Sequence, residues 1–208
     1  MNKIITLFAI IVLTATFTLS QTAGKSDIKM QVQYGSENPE VMGIMNFEEI
    51  KLFKMQFTGE DLKGKHFEIG VKEIVNGKIT KSEVAYTSSE AEQFRIEENK
   101  LTFFFFAKQT LANTARFDFQ FSYGRKPLEY KIAATDKEFT AKTFLGEQKE
   151  VSIPLNTATY ILAFLMPTIH KDGSTSYCEV VQSEIKPEDL GTKFNIPRYY
   201  LFDIKFHK

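Results

Sequence analysis

Short runs in which apolar and polar residues alternate fill most of the chain after Ser26. Residues 28–34 and 117–123 show this pattern most regularly. A period of two places successive side chains on opposite faces, which is typical of a β-strand with one buried face. Long helical periodicity is absent, and the best candidate is one helical turn at 187–190, with Pro187 at its start and Gly191 after it. The pattern therefore predicts an all-β protein.

Turn residues between these runs predict where strands fold back. Asn76-Gly77, between Val75 and Ile79, is a strong hairpin signal because a type I′ turn needs positive φ at both central residues. A second hairpin is predicted around Glu98-Asn99. Asp172-Gly173 predicts a third, and a two-residue turn there would pair His170 with Thr175.

Three pairs of segments indicate an internal duplication. Residues 29–35 match 118–124 at an offset of 89, with Gln, Tyr and Gly kept in place. The turn at 76–77 and the Glu-Val segment after it recur at an offset of 96. Apolar residues of 94–108 recur in 194–208 at an offset of 100. Because the blocks are collinear and turn residues match as well as apolar ones, chance alternation explains them poorly.

The duplication predicts two tandem β-sandwich domains, at residues 21–112 and 113–208. Each would hold about seven strands, which fits an immunoglobulin-like or transthyretin-like sandwich. The competing architecture is one large sandwich or jelly roll, since single all-β domains of this total length are common.

The first 20 residues resemble an export signal. Lys3 provides a positive charge, residues 4–15 are almost entirely apolar, and small residues lead to a plausible cleavage site between Ser20 and Gln21. The apolar run is shorter than the roughly 20 residues that span a bilayer comfortably, although a retained anchor stays an alternative. The pattern predicts a periplasmic or extracellular protein without membrane insertion after cleavage.

Charge and cysteine content narrow the function. The chain has 26 basic and 26 acidic residues, so it lacks the excess of Lys and Arg that nucleic-acid binding needs. Cys178 is the single cysteine, which excludes an intramolecular disulfide and is expected to be a packed thiol. Apolar burial must therefore supply the stability, and the 20 Phe residues are its main source.

No motif indicates catalysis, a metal or a cofactor. His66, His170 and His207 are too scattered in the sequence for a dedicated zinc site. The hairpin register predicted at Asp172-Gly173 separates His170 from Cys178 and disfavours a nucleophilic dyad. Adjacent carboxylates such as Glu188-Asp189 point to opposite faces of a strand, yet carboxylates from different loops can still converge. We therefore expect no catalytic residues, no metal and no cofactor, with a carboxylate-dependent hydrolase left open.

Two segments are candidates for a binding surface. The first is an unbroken aromatic run that is either buried on both faces or exposed on one face as a partner or homodimer site. The second follows a loop that is longer than its counterpart, and it is either a polar-aromatic ligand surface or a connector with its tyrosines in the core. The candidate residues are Phe103, Phe104, Phe105, Phe106, Arg198, Tyr199 and Tyr200.

The sequence thus favours an exported, non-enzymatic module that binds a protein or a glycan. The alternative is a structural subunit of a surface appendage or envelope complex, whose strand edges pair between molecules. Both expectations rest partly on what this fold class commonly does.

Overall fold

A computed structural model describes residues 26–177 and 185–208. The predicted export signal and Cys178 lie outside the described residues. The strands are β1 Lys29–Tyr34, β2 Lys51–Thr58, β3 His66–Val75, β4 Lys78–Thr87, β5 Lys100–Thr110, β6 Thr114–Phe121, β7 Gly124–Lys131, β8 Thr140–Thr143, β9 Val151–Ser152, β10 Thr159–Leu165, β11 Thr168–Ile169, β12 Thr175–Ser176 and β13 Arg198–His207. The helices are α1 Pro39–Phe47 and α2 Leu190–Phe194, with 3₁₀ turns at Glu60–Leu62, Ser88–Glu90, Glu92–Phe94 and Pro187–Asp189.

Two antiparallel sheets form the body of the protein, as the prediction of an all-β chain requires. The six-stranded sheet has the order β7-β6-β5-β2-β1-β9, and the five-stranded sheet has the order β4-β3-β13-β10-β8. β11 and β12 form a separate short hairpin. The inner faces of the two sheets meet in a common apolar core, which makes the architecture a β-sandwich.

Both sheets draw strands from both sides of residue 112. The six-stranded sheet combines β1, β2 and β5 with β6, β7 and β9, and the five-stranded sheet combines β3 and β4 with β8, β10 and β13. The predicted boundary falls in the tight turn between β5 and β6, whose register runs from Thr110–Thr114 outward without a break. The described residues therefore do not fold as two separate sandwiches at 21–112 and 113–208. Because the turn is short, β6 pairs directly with β5, so the predicted boundary lies inside one sheet.

The duplication itself stays a prediction, but one of its segment pairs occupies related places. Residues 94–108 and 194–208 contain β5 and β13, which are the third strands in their respective sheets. Each strand follows a short helical turn, Glu92–Phe94 before β5 and Leu190–Phe194 before β13. The segments beginning at Lys29 and Asp118, in contrast, lie in β1 and β6 of the same sheet.

Phenylalanine rings fill the space between the sheets. The ring of Phe202 on β13 lies 4.9 Å from Phe105 and 4.9 Å from Phe117, measured between centroids. Phe57 of β2 contacts Phe206 of β13 at 5.3 Å. Burying one such side chain contributes roughly 1.5–3 kcal/mol, so these contacts across the two sheets supply much of the stability.

Helix α1 is an element that the alternation did not predict. It begins after Asn38, whose Oδ1 accepts hydrogen bonds from the backbone N–H groups of Glu40 (2.9 Å) and Val41 (3.3 Å). Pro39 occupies the first helical turn, where its missing N–H costs nothing. These capping residues are the local signal for the helix. Within residues 26–177 and 185–208, no helix is long and apolar enough to cross a membrane.

Of the three predicted turns, the structure confirms one, contradicts one and shifts the strand register of the third. Asn76 and Gly77 both have positive φ and join β3 to β4, as expected. The hairpin predicted around Glu98-Asn99 is wrong, because residues 94–96 belong to no strand. At Asp172-Gly173 the observed register pairs Ile169 with Thr175, one residue away from the predicted pairing of His170 with Thr175.

Candidate functional site

The aromatic run of β5 is divided between two environments. Phe103 and Phe105 are buried in the core, with exposures of 1% and 2%. Phe104 and Phe106 point to the opposite, outer face of the sheet, where Phe104 is 40% exposed and Phe106 is half-buried. The strand period explains the division, since alternate side chains face opposite ways. Two of the four predicted residues are therefore part of the core and cannot contact a ligand.

Arg198, Tyr199 and Tyr200 do not form a ligand surface. Both tyrosines are fully buried. Tyr199 lies beneath the segment before β13, where its hydroxyl donates to the carbonyl of Glu188 (2.7 Å) and accepts from Gly191 N–H (3.2 Å). The alternative, a connector that places its tyrosines in the protein interior, is what the structure contains.

The Arg198 side chain instead closes one end of the sandwich. Its Nη1 lies 2.5 Å from Glu73 Oε1, and its Nε lies 2.7 Å from Asp136 Oδ2. Tyr200 donates its hydroxyl to the same Glu73 oxygen at 3.0 Å, and burial raises the pKa of Tyr200. All three charged side chains are at least 85% buried, with exposures of 12–15%. The network satisfies these charges internally, which gives it a structural role.

A continuous row of side chains crosses the outer face of the six-stranded sheet at Phe104. The strand register places directly neighbouring residues from five strands in one line, here called the Phe104 row: Gln33, Lys54, Phe104, Gln120 and Arg125. Strands lie about 4.8 Å apart, so the row spans about 19 Å. An exposed aromatic ring thus stands between an ammonium group on one side and an amide on the other.

Some polar side chains of the Phe104 row form hydrogen bonds or ion pairs within the protein, and others do not. Gln33 Nε2 donates to Glu37 Oε1 at 3.1 Å, and Arg125 pairs with the nearly buried carboxylate of Asp118. Within residues 26–177 and 185–208, neither Lys54 nor Gln120 has a side-chain hydrogen bond or ion pair. Their donors and acceptors are therefore available to a ligand beside the ring.

Further polar and aromatic side chains lie on both sides of the Phe104 row. Gln31, Gln56 and Thr102 form a second cross-strand line beside it. On the other side, a groove of about 290 Å³ runs along Phe106 and Asp118. The surface offers amides and aromatic carbon at short spacing, which is suited to binding a polar ligand with an apolar face. The sequence pattern predicted Phe104 as a candidate but not its neighbours, because these lie on separate strands whose pairing the pattern does not show.

A second polar cluster lies on the outer face of the five-stranded sheet. Lys72 Nζ lies 2.9 Å from Glu188 Oε1, and the Tyr160 hydroxyl contacts both groups. Burial, with the hydrogen bond to Glu188, raises the pKa of Tyr160 to about 12. Burial alone would raise the pKa of Glu188, but the hydrogen bonds from Tyr160 and Lys72 hold it below its usual value. The cluster ties the turn at Pro187–Asp189 to the sheet.

Among the carboxyls of residues 26–177 and 185–208, Asp203 is the one whose pKa is raised. It lies over Gly70, where an added Cβ would come within 2.6 Å of a carboxylate oxygen. Burial raises the pKa of Asp203; Lys72 opposes the shift, and Glu188 and Glu68 add to it. Together with Glu68, it lines a groove of about 380 Å³. A carboxyl that retains its proton above the usual pH range is suited to acid catalysis, which is the feature a hydrolase would need.

The histidines are less scattered in space than in sequence. His66 and His207 are paired across β3 and β13, with ring centroids 6.3 Å apart. His170 Nε2 lies 2.9 Å from Ser176 Oγ, and its predicted separation from Cys178 falls outside the described residues. In the described part of the chain, no group of three or more His, Cys, Asp or Glu side chains is arranged to hold a metal.

Comparison with known proteins adds no assignment. The sequence matches no protein-family model, and no curated protein or solved structure is significantly similar to it. The candidate site therefore rests on the geometry of the Phe104 row alone.

Proposed function

We propose that the protein is an exported, non-enzymatic binding module that holds an oligosaccharide against the Phe104 row. The observation that carries the proposal is the 40% exposed ring of Phe104 between Lys54 and Gln120, two polar side chains that the described residues leave unoccupied. The export signal predicted at residues 1–20 is consistent with a ligand in the periplasm or outside the cell.

The chemistry of sugars supports this choice of ligand. A pyranose ring has C–H groups on its faces and hydroxyl groups around its rim. The C–H face packs on the electron-rich face of an aromatic ring, and the hydroxyl groups both donate and accept hydrogen bonds. Gln120 offers one acceptor and two donors, and Lys54 offers three donors. Since the row is about 19 Å long, a chain of several sugar units fits along it.

The sheet edges favour this role over that of an appendage subunit. Intermolecular strand pairing needs a regular edge with free backbone groups. β7, at one end of the six-stranded sheet, carries Pro127 in its middle, where a backbone donor is missing. β4, at one end of the five-stranded sheet, carries the charged side chains Lys78, Lys81 and Glu83. Proline and charge are common devices against edge pairing.

Affinity electrophoresis through gels containing soluble polysaccharides tests the proposal. We expect a neutral β-glucan or an acidic polygalacturonate to retard the protein, and Phe104→Ala to lower the affinity about five- to tenfold, as expected for loss of one aromatic contact. The matched control is Ile79→Ala, which truncates a 51% exposed apolar side chain on the other sheet. Equal retardation of Phe104→Ala and wild type would contradict the proposal.

A panel of glycans immobilised on an array extends the search to sugars that are not available as soluble polymers. Binding of the wild-type protein to no glycan would overturn the oligosaccharide as ligand. Release of reducing sugar from a bound glycan, abolished by Asp203→Asn, would instead favour the hydrolase, whose acid would be on the five-stranded sheet.

A further inference from the structure

Helix α1 exposes a stripe of apolar side chains near one end of the six-stranded sheet. Val41, Ile44 and Phe47 are 41%, 63% and 86% exposed, and their spacing of three residues places them on one side of the helix. Leu111, in the turn between β5 and β6, is fully exposed. Several large apolar side chains exposed together mark an interaction surface.

Phe47 and Leu111 belong to the same groove, which has a volume of about 920 Å³. The groove therefore presents both protruding apolar side chains and a space that such side chains would fill. Its charged walls are evenly divided between three carboxylates and three cations, namely Glu48, Glu49, Glu138, Lys108, Arg116 and Lys137. A surface that carries both signs of charge has the residues needed to place opposite charges against each other across a twofold axis.

The ion pairs formed within the described residues leave two carboxylates and one cation of the groove available. Lys108 Nζ lies 2.9 Å from Glu48 Oε2, and Arg116 pairs with Glu129 at 3.7 Å. Glu49, Glu138 and Lys137 have no ion pair with any residue of 26–177 or 185–208. An unpaired acid and an unpaired cation on one surface are what a twofold contact needs, because each meets its opposite on the other copy.

We propose that this groove is a homodimer interface between two copies of the chain. Phe47 and Leu111 of each copy enter the groove of the other across a twofold axis. Glu49 then faces Lys137 of the partner subunit, and the reciprocal pair forms on the other side of the axis. Removal of the predicted export signal, whose one charged side chain is Lys3, changes a balance of 26 basic and 26 acidic residues to a net charge of about −1, which is too small to oppose association at long range.

Sedimentation velocity over a concentration series of the purified protein tests the dimer. The wild type is expected to pass from monomer to dimer as concentration rises. Phe47→Asp should weaken the dimer at least about 30-fold, as for a central interface residue. Ile79→Asp, which changes a 51% exposed apolar residue on the other sheet, should leave it unchanged. A wild type that stays monomeric up to about 100 µM would overturn the proposal.

A charge exchange tests the twofold geometry independently of the apolar contact. Glu49→Lys places two cations opposite each other twice per dimer and should weaken it about tenfold. Adding Lys137→Glu to that variant should restore wild-type affinity to within about threefold. If the double variant is weaker than Glu49→Lys alone, the two residues do not face each other and the proposed arrangement is wrong. Sedimentation measures the dimer, whereas the glycan array and affinity electrophoresis measure binding at Phe104, so the two proposals can fail independently.

Discussion

β5 and β13 are the third strands of their sheets, yet the outer face of β5 is open at Phe104 and that of β13 is covered at Tyr199. Toward the core they are alike, since Phe105 and Phe202 meet at 4.9 Å between the sheets. On the outer faces they differ: Phe104 on β5 is 40% exposed, whereas Tyr199 on β13 is fully buried. The strand with four consecutive aromatic residues is therefore the open one.

The connection before each strand accounts for the difference. Before β13, the turn at Pro187–Asp189 and helix α2 fold back over the strand and form hydrogen bonds with the Tyr199 hydroxyl. Before β5, the turns at Ser88–Glu90 and Glu92–Phe94 leave Phe104 exposed. Burial on the outer face of a central strand thus depends on the preceding connection more than on the residues of the strand.

The largest effect is expected from truncating the shared core. Phe202→Ala removes a ring that contacts Phe105, Phe117 and Phe119, and should cost about 3–5 kcal/mol of unfolding free energy. Phe104→Ala, on the open face, should cost about 1 kcal/mol or less because the ring is already partly hydrated. Urea denaturation measures both. Similar losses for the two variants would remove the distinction between the inner and outer faces.

A smaller loss of unfolding free energy is expected from disturbing the turn and helix α2 that pack over Tyr199 of β13. An added Cβ at Gly191 would lie 2.8 Å from Tyr199 Cε1 and 3.3 Å from the Gly77 backbone. Gly191→Ala should therefore destabilise the protein by about 1–3 kcal/mol through crowding. Gly43→Ala is the control, since nothing lies within 4 Å of its new Cβ in α1. There the higher helix propensity of Ala should stabilise the fold by up to about 1 kcal/mol. If both variants stabilise, α2 is not packed tightly on Tyr199.

The smallest effects on the unfolding free energy are expected at Glu188 and Asp203. The contributions of these two carboxyls depend on pH in opposite directions. The pKa of Glu188 is lowered, so its contribution is present above the unfolded value near 4.5 and is lost as pH falls through the folded pKa. The pKa of Asp203 is raised, so stability falls as pH rises above its unfolded value near 3.8. At pH 7, Glu188→Gln should therefore destabilise and Asp203→Asn should stabilise, each by about 1 kcal/mol or less.

Thermal melts at pH 7 and pH 3 check these two signs. At pH 3 the difference between Asp203→Asn and the wild type should vanish, because the carboxyl is largely protonated in both the folded and unfolded states. A stabilisation by Asp203→Asn that is equal at both pH values would show that the raised pKa of Asp203 is not its cause.

Local pattern predicted the features that depend on neighbouring residues in the chain. Alternation located β1 and β6, the Asn76-Gly77 pair located the β3–β4 turn, and Pro187 marked a helical turn. The same signals decided that one side of β5 would be buried. Each of these features follows from side-chain period or turn chemistry within a few residues.

The pairing of distant strands was not predictable in this way. Register alone places Lys54 and Gln120 beside Phe104, and they lie 50 and 16 residues away in sequence. Likewise, residues 111–113 contain neither Gly nor Pro, so no strong turn signal indicated that β6 joins β5 in one sheet. Helix α1 was missed for another reason: Asn38 and Pro39 signal its start, but its exposed apolar stripe resembles no core-facing pattern.

Hydroxyl-radical footprinting read by mass spectrometry tests the difference between the two central strands most directly. We expect Phe104 to be oxidised much faster than the buried rings of Phe103, Phe105, Tyr199 and Tyr200, and a bound oligosaccharide to protect it. Oxidation of Phe104 as slow as that of Phe105 in the free protein would contradict the open face. Rapid oxidation of Tyr199 would contradict the covered one.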